Sequence, residues 1–107
     1  MTNDLQEIAK DFLTEAQEDY VGLWSLVWDI KNDFPELDRN ETRASVLNII
    51  RELLHENLIK AGIPKISGDF EEWTGSVEEI VSRIRNEWEE LGTDPTIGDI
   101  VWFVSTE

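Results

Sequence analysis

The sequence predicts an α+β fold, three or four helices packed on a small two- or three-stranded antiparallel sheet, within one domain spanning residues 1–107. Three observations carry this expectation. Apolar residues recur at helical spacing through three long segments. Two short apolar runs, Leu58 to Ile63 and Ile100 to Val104, are bounded by turn formers and read as strands. No repeat, low-complexity tract or Pro- or Gly/Ser-rich linker divides the chain, and 107 residues suffice for one hydrophobic core.

The first helical segment opens at Asn3, with Gln6 placed as its reciprocal capping partner. Leu5, Ile8, Ala9, Phe12, Leu13, Ala16, Tyr20, Leu23, Trp24 and Val27 then share one stripe, as in one long helix or two in succession. Gly22 is the weak point, and Phe34-Pro35 ends the segment because a residue before proline avoids helical backbone angles. Val21, Leu26 and Trp28 fall outside the stripe: at roughly 100° per residue, Leu26 lies nearly opposite it and Trp28 about 120° from its centre. Tyr20 to Ile30 is therefore expected to be a central helix covered on two sides, the alternative being an exposed aromatic patch.

The second helix starts at Asp38, with Glu41 completing a capping box, and runs to about Asn57. Val46, Leu47, Ile50, Leu53, Leu54 and Leu58 form its core face, and Ser45, Asn48, Arg51, Glu52 and His55 face away. The Leu58 to Ile63 strand follows, with Pro64 at its end, and Ser67 to Gly75 reads as a loop holding Phe70 and Trp73. The third helix is capped by Ser76 with Glu79, carries Val77, Ile80, Val81, Ile84, Trp88 and Leu91 on one face, and stops at Gly92. Its two bases have partners four residues away, Glu79 and Glu87 for Arg83 and Glu89 for Arg85. Thr93 to Asp99 is a turn, and the last strand lacks polar alternation, so it is expected to be covered on both faces and to pair antiparallel with Leu58 to Ile63.

Composition narrows function by exclusion. The chain has no cysteine, so disulfides and thiolate metal sites are excluded and a cytoplasmic, reducing home is expected. Met1 to Asp11 lacks the features of an export signal, and no apolar run approaches a membrane span. His55 is the only histidine, so neither a transition-metal site nor a serine triad is expected, and no glycine-rich phosphate loop is present. Asp94 and Asp99 fail the spacing of a calcium loop. No cofactor, metal or catalytic residue is assigned. A net charge of −15 disfavours nucleic acid and anionic membrane surfaces as partners and favours a basic protein.

The charge is uneven. Residues 1–38 hold ten acids and two bases, residues 39–65 three acids and five bases, and residues 66–107 eleven acids and two bases. Within the middle third, Val46 to Gly62 resembles the recognition helix and first wing strand of winged helix-turn-helix domains, with a leucine, isoleucine, basic residue and glycine entry to the wing. The resemblance makes the expected fold winged-helix-like. It implies a DNA-binding regulator in which Ser45, Asn48 and Arg51 read bases and Arg39, Arg43, Lys60 and Lys65 hold phosphates. The sequence departs from the family where Phe34 to Thr42 leaves little room for a preceding helix and turn, and where the Ser76 to Leu91 helix interrupts the wing.

The remaining candidates are aromatic. Trp88 and Trp102 sit in core-facing patterns, whereas Trp28 and Trp73 have no place in a stripe, and Glu71 and Glu72 adjoin Trp73. Aromatics ringed by acids fit a surface for a basic protein, although small cores also use tryptophan as filler. Trp28, Glu71, Glu72 and Trp73 are accordingly the candidate partner-binding residues. The expected function is a non-enzymatic acidic interaction module; small acidic bacterial proteins that neutralise toxins or mimic nucleic acid are similar in size and charge. A DNA-binding regulator and a small enzyme using carboxylates, with Glu71 and Glu72 its first candidates, are the alternatives.

Overall fold

The computed structural model describes residues 5–96 and 100–106, so the Asn3 cap and the Gly98 and Asp99 part of the expected turn lie outside the described residues. The elements run α1 (Leu5–Glu18), β1 (Val21–Gly22), α2 (Leu23–Asp33), α3 (Arg39–His55), β2 (Ile59–Pro64), β3 (Phe70–Glu72), α4 (Val77–Leu91) and β4 (Trp102–Ser105). The four strands form one antiparallel sheet in the order β1-β4-β2-β3. This is an α+β fold, with four strands among the described residues rather than the two or three expected. No helix of the described residues is long and apolar enough to cross a membrane.

The expected pairing of the two apolar runs forms the centre of the sheet, with Ile59 opposite Ser105 and Ala61 opposite Phe103. The two extra strands extend it at either edge. β1 interrupts what the sequence pattern reads as one apolar stripe: Asp19 takes the amide of Tyr20, and Leu23 N–H donates to Val101. Breaking the helix there resets its phase. In α2 the buried residues are Leu23, Leu26, Val27 and Ile30, so Leu26 faces the core and Trp28 is turned out to solvent at 62% exposure. The expectation that Tyr20 to Ile30 is a central helix covered on two sides is corrected at Trp28, which is exposed, and at Val21–Gly22, which form β1. The second extra strand, β3, lies in the expected Ser67 to Gly75 loop, where a hairpin returns Phe70 opposite Pro64 and Glu72 opposite Gly62.

Local signals at helix ends are obeyed. Asp38 with Glu41 and Ser76 with Glu79 both form reciprocal capping boxes, and Gly92 ends α4 with a left-handed φ of 77°. α3 ends in a Schellman motif built on Asn57, whose φ is 62°: Asn57 N–H donates to Leu54 and Leu58 N–H to Leu53. That motif turns the chain directly into β2.

The helices cover the sheet face that carries Val21, Ile59, Ala61 and Phe103, all buried. Phe12 of α1 meets Phe103 edge-on at 5.6 Å, and Trp88 of α4 is fully buried. The opposite face of β4 is less covered than expected, because Trp102 and Val104 remain half-buried while Val101, Phe103 and Ser105 are buried. Two glycines shape that outer face. A β-carbon on Gly22 would fall 2.6 Å from the Trp24 ring, and one on Gly62 would fall 2.2 Å from the Glu71 carbonyl and 2.8 Å from the Phe70 ring. Tyr20 stacks on Phe70 at 5.3 Å, giving the outer face a thin aromatic layer in place of a helix.

Candidate protein-interaction surface

The candidate partner-binding residues separate in space. Glu71 and Glu72 are exposed on β3, at the sheet edge remote from β1 and α2. Glu72 Oε1 lies 4.0 Å from Lys60 Nζ across the hairpin. Trp73 is buried at 8% exposure, its amide bound to the Ala61 carbonyl and its ring covered by the Arg83 guanidinium at 3.6 Å. Trp73 thus belongs to the core of the fold, and of the two unplaced tryptophans only Trp28 offers its ring to a partner.

Trp28 stands on a helix with two contrasting lanes. Successive residues are turned by roughly 100°, so Trp24, Trp28 and Asn32 form one lane and Ser25, Asp29 and Asp33 the next. The aromatic lane forms one wall of a cleft of about 430 Å³, whose other wall is Asp94, Pro95 and Thr96. Val27 closes its floor. Lys31, the one base among the described residues lining this cleft, is held by Asp94 at 2.6 Å, and Arg39 Nε approaches the other oxygen of Asp94 at 3.9 Å. That carboxylate ties the chain after α4 to both α2 and α3. On the far side of the Lys31–Asp94 pair a second cleft, about 420 Å³, is lined by Phe34, Pro35, Leu37 and Thr42.

The acidic lane faces α1. Burial, with the neighbouring charges of Glu15, Asp33 and Asp11, holds the Asp29 carboxyl above its ordinary value of 3.8. Glu15 accepts a hydrogen bond from Ser25 Oγ at 3.3 Å, and none of these four acids forms a salt bridge among the described residues. Sequence spacing showed no sign of this cluster, because it is assembled from two helices whose relative phase depends on the β1 interruption.

The bases singled out by the winged-helix resemblance are mostly faced by acids. Besides Arg39 with Asp94, Arg43 lies 3.8 Å from Glu89, Arg51 Nε donates to Glu78 at 2.9 Å, and Lys60 adjoins Glu72. Arg51 also donates to Asn48, and Ser45 is half-buried. Lys65, in the hairpin turn, makes no salt bridge among the described residues, and its amide donates to Asp69. Within α4 the expected Arg83–Glu87 pair forms at 2.9 Å, whereas Glu79 is taken by its capping box and Glu89 by Arg43. His55 is exposed, and among the described residues no three His, Cys, Asp or Glu side chains are grouped to hold a metal ion.

No family model and no curated protein matches this chain. A solved structure is similar: an uncharacterised protein conserved in bacteria, from Neisseria meningitidis, aligns with a TM-score of 0.64 at 19% identity. The alignment covers 96% of this chain and 79% of that one. At that identity the likeness establishes a shared fold.

Proposed function

We propose that this chain is a non-enzymatic acidic module that binds a basic partner protein, as an inhibitor or immunity-like protein does, in the cytoplasm. The observation that carries the reading is the cluster of Asp11, Glu15, Asp29 and Asp33 on α1 and α2, in which the other three carboxylates act on Asp29 and none of the four forms a salt bridge among the described residues. Like charges held together are a cost to the free protein, and a cationic surface docked on them recovers that cost. The exposed Trp28 ring beside the cluster supplies apolar area of the kind found at the centre of interfaces.

The other two readings find less support. A DNA-binding surface needs bases free to meet phosphates, and four of the five bases between residues 39 and 65 already face a carboxylate. Carboxylate catalysis needs a concave site, and Asp29 lines neither cleft beside α2, while Glu71 projects from an open edge strand.

The test is affinity capture from lysate of the native organism with immobilised chain at low and high salt, followed by mass spectrometry. A basic protein released by salt, and no longer retained when Asp11, Glu15, Asp29 and Asp33 are replaced by Asn or Gln, is the expected result. Retention of nothing, or of the same proteins by the substituted chain, defeats the reading.

A further inference from the structure

We propose that the second cleft, between the end of α2 and the first turn of α3, binds a small monocarboxylate. The carboxylate sits on Arg39 and Thr42 beside Lys31, and a short apolar body lies on Phe34, Pro35 and Leu37. This goes beyond the reading of the chain as a binder of basic proteins and shares no residue with the acidic cluster that carries it.

The two clefts have the Lys31–Asp94 pair in common and differ in what else lines them. Around the Trp28 cleft the described lining residues hold one base and one acid, which offset each other. The second cleft adds Arg39, so two bases share the single carboxylate of Asp94. That carboxylate is committed to Lys31 at 2.6 Å, whereas Arg39 Nε stands 3.9 Å away, too far for a hydrogen bond. The Arg39 guanidinium makes no hydrogen bond among the described residues. In a chain of net charge −15, this lining has one positive charge in excess.

Thr42 is an independent sign of a ligand. It is only 4% exposed, and it lines the cleft. Its amide donates to the Asp38 carbonyl, but its hydroxyl has no hydrogen-bond partner among the described residues. The enclosed side-chain atoms that lack a partner are the indole nitrogens of Trp24 and Trp88, so the Thr42 hydroxyl is not sealed in, and the cleft is the space this residue lines. An unmatched hydroxyl in so buried a residue is a cost that an acceptor in the cleft removes. Arg39 and Thr42 stand three residues apart at the start of α3 and are neighbours on one face of it. The positive end of the helix dipole lies there too. A carboxylate placed between them accepts from the guanidinium and from the hydroxyl at once.

Charge and lining select the ligand. One positive charge in excess suits a monoanion, whereas a phosphate dianion would bring more charge than the cleft offsets in so acidic a chain. Phe34, Pro35 and Leu37 present an apolar wall, fixed by the Leu37 amide donating to the Phe34 carbonyl. At about 420 Å³ the cleft has room for a short acyl chain.

Titration of isovalerate into the ¹⁵N-labelled protein, in a buffer free of carboxylate and phosphate, tests this. The Arg39 and Thr42 amide signals and the Arg39 Nε–H signal should move together and saturate with a Kd of roughly 1–10 mM, while the indole signal of buried Trp88 stays. Isovaleramide, similar in shape but uncharged, and inorganic phosphate should each bind several-fold more weakly. Arg39→Gln should weaken isovalerate binding roughly 10-fold and Thr42→Val roughly 3-fold, the unmoved Trp88 signal showing that each variant is folded. A free acid and the last residue of a polypeptide both offer this chemistry; saturable binding of isovalerate or of N-acetyl-leucine supports the site, and the tighter of the two names the source. Isovaleramide binding as tightly as isovalerate, an unchanged affinity in Arg39→Gln, or no saturable movement at Arg39 and Thr42 overturns the proposal. None of these results bears on capture of a basic protein by the acidic cluster, so the two readings fail separately.

Discussion

The guanidinium of Arg83 lies 3.6 Å from the centroid of the Trp73 ring and so joins α4 to the strand end that follows β3. Arg83 also pairs with Glu87, so its removal loses a stacked contact and an i,i+4 ion pair together. Both are partly solvated, which keeps each small. Arg83→Ala should lower the stability measured in urea by about 1 kcal/mol. Arg83→Lys should restore only part of it, because an ammonium cannot lie flat on the indole.

Gly62 and Gly22 face the same side of the sheet but differ in what stands above them. At Gly62 a β-carbon meets the Glu71 carbonyl at 2.2 Å, and backbone of a paired strand cannot withdraw without breaking the hairpin. Gly62→Ala should cost roughly 1–3 kcal/mol, the range of overpacked sites, and should loosen β3. At Gly22 the obstruction is the Trp24 ring. Gly22→Ala should cost less and instead shift the Trp24 indole signal, a contrast that thermal denaturation and NMR spectra together resolve.

What could be foreseen followed from signals that act locally. The capping boxes of Asp38 and Ser76 and the stop at Gly92 depend on residues within a turn of one another, so the sequence states them outright. The β2–β4 pair was legible because both runs are apolar enough to need covering. β3 was hidden because its residues, Phe70, Glu71 and Glu72, lie at an edge where nothing enforces an apolar pattern. Two residues of β1 were too few to register, yet they rotate α2 about its axis and so decide that Trp28 is exposed and that Asp29 meets Glu15. The candidate site was therefore half legible: Trp28 was named, but its acidic neighbours are a consequence of that rotation.

Each capping box predicts its own loss. Ser76→Ala removes the acceptor for the Glu79 amide, now 3.1 Å away, and should destabilise the protein by about 1 kcal/mol. Ser76→Asp should retain most of the stability, since a carboxylate also accepts there and suits a helix N-terminus. Urea midpoints of the two variants at constant pH separate the lost cap from a general effect of substitution.

Asp29 gives the fold a pH dependence of definite sign. Its carboxyl is held above 3.8 in the folded protein by burial and by Glu15, Asp33 and Asp11, so the folded state takes up a proton more readily than the unfolded chain. The stability linked to that proton is complete below the unfolded value and is lost as pH rises through the folded one. At neutral pH the ionised Asp29 is thus a burden, and Asp29→Asn should stabilise the protein there by no more than about 1 kcal/mol after solvent screening. The gain should vanish as pH falls toward 3.8, which urea unfolding across that interval measures. A cationic partner would reverse the preference by favouring the carboxylate, so its affinity should rise over the same pH range in which the free protein loses stability.

Trp28 and Trp88 are the same residue type in opposite circumstances, and truncating each separates surface from core. Trp88 is fully buried in α4, so Trp88→Ala leaves a cavity that neighbours such as Ile84 cannot fill and should cost roughly 3–5 kcal/mol. Trp28 is 62% exposed, and Trp28→Ala should change stability by no more than about 0.5 kcal/mol. Denaturation of the two variants under one set of conditions gives the comparison. A large loss at Trp28 would mean that its ring supports the Asp94–Thr96 wall of the cleft, and its exposure would then be a by-product of packing. A negligible loss leaves the ring without a task inside the chain, which is the condition a residue reserved for a partner must meet.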